Sequence, residues 1–388
     1  MDRNTLATRA PTRRAVLGTA GASLVAAGAS VTGLRAARAA APDPVVDTSH
    51  GRLRGMAGDG ALVFKGVRYG ETTGGPNRFL PPVAVTPWAG VRDAVAFGHS
   101  APQVQPPDNS LDSWYTAIEP VSEDCLFLNV FTTSLASGTA RPVMVWLHGG
   151  AWSSCAGTAP GFDGTNLARD GGVVVVTINH RLSVFGYLEL GSREERFADA
   201  GNAGVLDMVA ALRWVHDNIG RFGGDPGNVT IFGQSGGASK VTALLGMPAA
   251  HGLFHKAIVQ SCSGGLRLTP LAEAGEQAAS LVKALGQERI DGAALQGVPM
   301  ETLLKAGRSV ADPFRPVLDG RSFTASPYDG TATPVSSSIP MLVGNAANEA
   351  TLFLAGTPAN LKIDEGEAVR RIARFLQSDQ AATRRIVD

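Results

Sequence analysis

Apolar residues fall along this chain in two kinds of run, and their alternation outlines an architecture before any chemistry is considered. Residues 126–131, 143–147 and 173–178 are continuous apolar runs rather than alternating ones, the pattern of strands buried on both faces of a sheet. Between residues 205 and 219, Val205, Met208, Val209, Leu212, Val215 and Ile219 recur at the spacing of one helical face, and Gly220 and Gly223 then end it. A β-branched strand at 229–232, a helix at 237–245 and a strand at 257–260 continue the alternation. This predicts an α/β fold with a doubly wound, mostly parallel sheet.

The flanks read differently. Residues 45–48, 51–54 and 61–69 are short extended pieces separated by Gly and Asp, which predicts an antiparallel edge at the N-terminal side. Residues 74–113 are rich in Pro and Gly without periodicity, the mark of a long surface loop able to cover a pocket. A helical stretch near 270–285, a loop-rich region and a strand at 341–344 follow. Val369, Ile372, Ala373 and Leu376 then share one helical face, which implies a surface for them to meet, and the chain stops soon after, at Asp388. No repeat or linker divides residues 42–388, which read as one domain whose last part is missing.

Composition narrows the partners. With 44% hydrophobic and 18% charged residues the 388-residue chain can bury a large core. Lys+Arg and Asp+Glu both number 34, so no electrostatic argument points to nucleic acid or an anionic membrane, and small neutral substrates fit better. Residues 1–41 read as an address. Arg13 and Arg14 precede a weakly apolar Ala/Gly-rich run, and Ala37-Arg38-Ala39 offers small residues for cleavage after Ala39 or Ala41. A membrane anchor is the alternative, but only Val16, Leu17, Leu24, Val25, Val31 and Leu34 are strongly apolar there, a poor span. The expected product is secreted or periplasmic, without a stable membrane anchor. The three cysteines, Cys125, Cys155 and Cys262, allow one bridge at most, have no metal spacing, and read as small buried hydrophobes.

The chemistry concentrates in Val229-Thr-Ile-Phe-Gly-Gln-Ser235-Gly-Gly237. A strand feeding G-x-S-x-G and then a helix is a nucleophile elbow, which projects the Ser235 hydroxyl from a strained turn. Attack on a carbonyl leaves an oxyanion that fixed donors must meet. Gly149, Gly150 and Ala151, after His148 and a buried strand, let backbone N–H groups approach it, and Gly236 follows the nucleophile as a further donor. An ordinary glycine turn is the competing reading of His148-Gly-Gly-Ala151 taken alone. Trp152 and the loop 74–113 are expected to wall the pocket.

Motifs from end to end resemble the type-B carboxylesterase family, which also contains the cholinesterases. Glu123-Asp-Cys-Leu-Phe-Leu-Asn129 is similar to that family's E-D-C-L-x-L-N, and Asn202-Ala-Gly-Val-Leu-Asp207 to its N-x-G-L-x-D. Phe222-Gly-Gly-Asp-Pro226 with residues 229–235 matches the signature around its nucleophile, and Trp88, Val91, Asp93 and Phe97 match a further segment. The resemblance covers about residues 45–355 and implies the α/β-hydrolase fold, a carboxylic ester substrate and no cofactor or metal. It implies Glu349 as the acid, Gly150, Ala151 and Gly236 as oxyanion donors, and Ser263 as a support for the acid and its imidazole. The family's glutamate and alanine beside the nucleophile are Gln234 and Gly236 here. Ala101 stands where a cysteine partner for Cys125 would fall, which leaves Cys125 a free thiol.

One departure bears on the mechanism. In this fold the triad runs serine, acid, histidine, yet His50, His99, His148, His180, His216, His251 and His255 all precede Glu349. Each reads as a packing or surface residue. The expectation is therefore a secreted serine carboxylesterase whose imidazole lies in a missing C-terminal segment, with little turnover from the chain as it stands. A non-catalytic binding protein built on an esterase fold is the alternative, and the nucleotide sequence beyond codon 388 separates the two.

Overall fold

The computed structural model describes residues 43–105, 113–135, 138–262, 267–327, 335–349, 351, 354, 357–376 and 378–387. The export signal expected within residues 1–41 lies outside them. Residues from Pro42 to Asp388 form one compact unit.

Strands β1 (Val45–Asp47) and β2 (Arg52–Arg54) pair antiparallel, and β5 (Val91–Asp93) adds parallel to β2 to close a small sheet. The main sheet contains β3 (Met56–Gly58), β4 (Ala61–Arg68), β6 (Phe127–Thr132), β7 (Arg141–Leu147), β8 (Val174–Ile178), β9 (Gly224–Gln234), β10 (Lys256–Gln260) and β13 (Met341–Gly344). Its eight strands run in the order β13-β10-β9-β7-β8-β6-β4-β3. From β8 to β13 all pairings are parallel, whereas β3, β4 and β6 join antiparallel at the other side. A two-stranded ribbon of β11 (Thr269–Pro270) and β12 (Val317–Leu318) lies apart.

Continuous apolar runs were needed because both faces of the sheet are covered. Val63 of β4, Phe131 of β6 and Val175 of β8 pack with Ala168 of α1 (Thr165–Gly171) in one cluster. Their neighbours Phe64, Val130, Val174 and Val176 point the other way into the main core. That core also holds α2 (Ser183–Tyr187), α3 (Ala203–Asn218) and α4 (Gly236–Leu245). All six periodic residues between 205 and 219 are buried. Asp207 interrupts the apolar face of α3 because it carries an ion pair: Arg181 Nη2 lies 2.6 Å from Asp207 Oδ1, and both side chains are almost wholly removed from solvent. Arg181 Nε and its backbone N–H also donate to Oδ2, at 2.8 and 3.0 Å.

Three expectations need correction. The segment 74–113 is no simple cover: it supplies β5 and the buried Phe79. Arg78 within it pairs with Glu123 and donates to the carbonyls of Leu295, Gln296 and Val298. Beyond α5 (Leu271–Ala284), the region read as loop contains α6 (Gly292–Gln296) and α7 (Met300–Ser309). Each is short, and α6 starts only because the Asp291 side chain accepts from Ala294 N–H at 2.9 Å. Strand β9 begins at Gly224, five residues before its β-branched run, since Gly224 pairs with Arg141 of β7 across an irregularity that takes up residues 225–228. Finally, Val369 and Ala373 are 4% and 6% exposed, because the helix Glu365–Leu376 lies against the helix Gln380–Val387, to which Arg384 and Glu365 tie it at 2.5 Å. Strand β13 is the sheet's edge, with Met341, Leu342 and Val343 more than half exposed. Among the described residues no helix is long and apolar enough to cross a membrane.

Candidate active site

Strand register assembles the site. Leu147 pairs with Gly233 and Ile178, Gln234 with Gln260, and Gln260 with Gly344. The residues that follow β7, β8, β9, β10 and β13 therefore emerge level with one another at the carboxyl edge of the parallel strands, the usual place for a site in such sheets. Those residues are the turn at 148–151, His180, Ser235, Ser261 and the turn holding Glu349.

Ser235 occupies φ 57° and ψ −122° between β9 and α4. Such a conformation is strained for a side-chain-bearing residue and persists only where neighbours hold it. Here the Ser235 N–H donates to Gln260 O at 2.9 Å, and its carbonyl accepts from Ser239 N–H at 3.1 Å, opening α4. The tight turn needs Gly237, whose added Cβ would overlap the Leu147 carbonyl oxygen. Ser235 is half-buried and Gln234 exposed.

The glycine turn packs onto the elbow. A Cβ on Gly236 would overlap the Ala151 nitrogen, and one on Gly149 would sit 3.9 Å from Ser235 Cβ. Gly150 and Ala151 take successive left-handed conformations, φ 77° and 51°, which turns their backbone toward the elbow. The four residues assigned to the oxyanion hole, Gly149, Gly150, Ala151 and Gly236, are thus gathered around Ser235. The Trp152 ring is buried edge-on to Tyr187, 5.2 Å between centroids, and its carbonyl accepts from Ser183 N–H at 2.7 Å.

Glu349 follows β13 in an exposed turn where its Oε1 accepts from Ala346 N–H at 2.6 Å. The Ser261 hydroxyl also donates to its carboxylate, and these bonds, Ser261 first, hold Glu349 below the usual glutamate range. Ser261 is itself left-handed at φ 53°, its N–H bound to Gly344 O at 2.8 Å. Among the described residues Ser261 is the serine on the acid, while Ser263, the residue expected there, lies outside them.

No histidine completes the pair. His148 and His180 are buried and stacked, 4.8 Å between centroids and 13° apart, and burial pushes both well below the usual imidazole range. His255 Nδ1 accepts from Val229 N–H at 3.1 Å, and His216 pairs with Asp217 at 2.8 Å on the surface. Among the described residues no imidazole is hydrogen-bonded to Ser235 or Glu349. One group escaped sequence reading altogether: Lys240 of α4, fully buried behind the glycine turn, with burial lowering its pKa to about 7. Its only sequence signal is a lysine in a helix otherwise built of small and apolar residues. All three cysteines are free, and burial pushes the Cys125 thiol far up. A groove of about 620 Å³ lined by Ser192, Arg193, Leu271 and Glu276 runs along α5, away from this chemistry.

The strand order and the serine-bearing elbow define an α/β-hydrolase. The sequence description of the carboxylesterase family matches residues 42–385, and the chain belongs to that family. It is 41% identical over 318 residues to the para-nitrobenzyl esterase of Bacillus subtilis (strain 168), covering 80% of this chain and 63% of that one. It is 36% identical to the phenmedipham hydrolase of Pseudarthrobacter oxydans, covering 84% and 65%. A crystal structure of a Geobacillus stearothermophilus carboxylesterase superposes with a TM-score of 0.76 at 43% identity, over 85% of this chain and 67% of that one. The chain thus spans less than two thirds of the length of these curated relatives.

Proposed function

We propose that this chain carries the nucleophile, acid and oxyanion parts of a serine carboxylic-ester hydrolase acting on small uncharged esters. The observation that carries the reading is Ser235 held at φ 57° with Gly236 packed on the 149–151 turn. Ser235 Oγ bonds to the ester carbonyl carbon as its proton passes to an imidazole. The carbonyl oxygen, now an oxyanion, is received by backbone N–H groups of Gly149, Gly150, Ala151 and Gly236. Collapse of this intermediate breaks the bond to the alcohol, which leaves with the imidazole's proton, and water repeats the sequence on the acyl-enzyme. Glu349 orients the imidazole. No cofactor takes part.

The imidazole comes from chain that follows residue 388 in the whole enzyme. Support for this is that every histidine here precedes Glu349, and that the relatives are longer than the parts matched. Residues 1–388 alone then turn over little ester, since positioned proton transfer is worth roughly 10²–10⁴-fold. Residues 1–41 serve as a twin-arginine export signal ahead of the hydrolase domain at 42–388, and the product is secreted or periplasmic.

A fluorophosphonate probe followed by peptide mapping tests the site. Incorporation at Ser235, abolished by Ser235→Ala, is expected, and labelling of another serine with Ser235 unmodified refutes it. Replacing Arg13 and Arg14 by lysine should leave the protein inside the cell, measured by fractionation; undiminished export excludes the twin-arginine route.

A further inference from the structure

Behind the glycine turn, on its core side, α4 presents a cation with no carboxylate partner among the described residues. Lys240 is completely removed from solvent, and its Nζ donates to His148 O at 2.7 Å and Gly149 O at 3.2 Å. His148 Nδ1 lies 3.0 Å from the same Gly149 oxygen. The same Nδ1 lies 3.4 Å from Nζ, so the lysine meets the turn at two carbonyls and at the imidazole edge. A buried ammonium is costly to maintain, and this one is spent on two successive carbonyls of one short turn.

Peptide planarity gives that arrangement a consequence. In a trans peptide the C=O and the next N–H point to opposite sides. Holding His148 O and Gly149 O on the Lys240 ammonium therefore directs the N–H groups of Gly149 and Gly150 away from that ammonium. A donor on the carbonyl also polarises the amide and strengthens its N–H as a donor in turn. We propose that Lys240 is a positioning residue that clamps and polarises the Gly149 and Gly150 amides of the oxyanion turn. The inference rests on the hydrolase reading for what those amides serve, but the clamp is a property of the turn itself.

Three titratable groups face Lys240: His148 from the end of β7, His180 from the end of β8, and Cys155 from the turn after Ala151. Burial keeps both imidazoles unprotonated and pushes the Cys155 thiol up, so all three are neutral near pH 7. Lys240, lowered by burial to about 7, is the group that changes charge there.

The test compares the full chain with Lys240→Met and Lys240→Arg. With selective labelling, the Gly149 and Gly150 amide resonances are followed through neutral pH, a readout that needs no turnover. Both should titrate with a midpoint near 7 in the parent, and be shifted and flat in Lys240→Met. In Lys240→Arg they should stay flat at the parent's low-pH position, which keeps the test alive if Lys240→Met does not fold. Amides unmoved by either substitution, or titrating unchanged in them, overturn the proposal. Fluorophosphonate labelling of Ser235 should slow roughly tenfold or more in Lys240→Met with melting temperature undiminished, and an equal rate also overturns it. A parent that does not label at Ser235 reports the missing base rather than the clamp and leaves the amide titration to judge the proposal.

Discussion

Lys240 shows how a single side chain couples the candidate site to stability. An unfolded lysine titrates near 10.4, roughly, whereas Lys240 in the fold titrates at about 7. Between those values the unfolded chain holds one more proton than the native one, so this group makes stability rise with pH there, by at most about 1.4 kcal/mol per pH unit. Below the lower value both states are protonated and its penalty is full; above the upper value it vanishes. The stability advantage of Lys240→Met over the parent should accordingly shrink by about 2 kcal/mol between pH ~7 and pH ~9 in urea titrations. A constant difference would mean that Lys240 keeps an ordinary pKa. The same residue scale limits what resemblance transfers. The left-handed backbone at Ser261, a residue the resemblance does not single out, turns its hydroxyl to Glu349.

At the scale of elements, the junction of β8 and α3 depends on Arg181 and Asp207. Removing one partner of a buried ion pair leaves the other charge without compensation. Asp207→Ala should therefore destabilise by about 3–5 kcal/mol, while Arg181→Met with Asp207→Leu should recover most of that loss, both read by chemical denaturation. Elements with long apolar periodicity, β7, β8, α3 and α4, were legible because their burial follows from spacing alone. The short α6 and α7, the parallel strand β5 and the early start of β9 were not. Each takes its form from a partner distant in sequence, such as β2 for β5 and β7 for β9.

For the whole molecule the open feature is β13. It closes one side of the sheet with an edge that is unpaired among the described residues, and Met341, Leu342 and Val343 are 52%, 65% and 59% exposed. Such an edge invites pairing with another chain. Residues 42–388 should self-associate at raised concentration, and Leu342→Lys should reduce this, followed by sedimentation velocity. Unchanged association in that variant would place the contact elsewhere.

The fold class and the place of Ser235 were already decided by local pattern. Apolar runs say which segments are buried, and a G-x-S-x-G turn has one backbone solution, since only glycine fits where Gly237 meets the Leu147 carbonyl. Packing of distant segments settled the remainder. Register brought Gln234, Gln260 and Gly344 level, stacked His148 on His180 in the core, and turned Lys240 onto the carbonyls of the glycine turn. A polar side chain has no period of its own to announce its direction. Whether it meets water, an acid or a buried carbonyl depends on what the rest of the chain places opposite it.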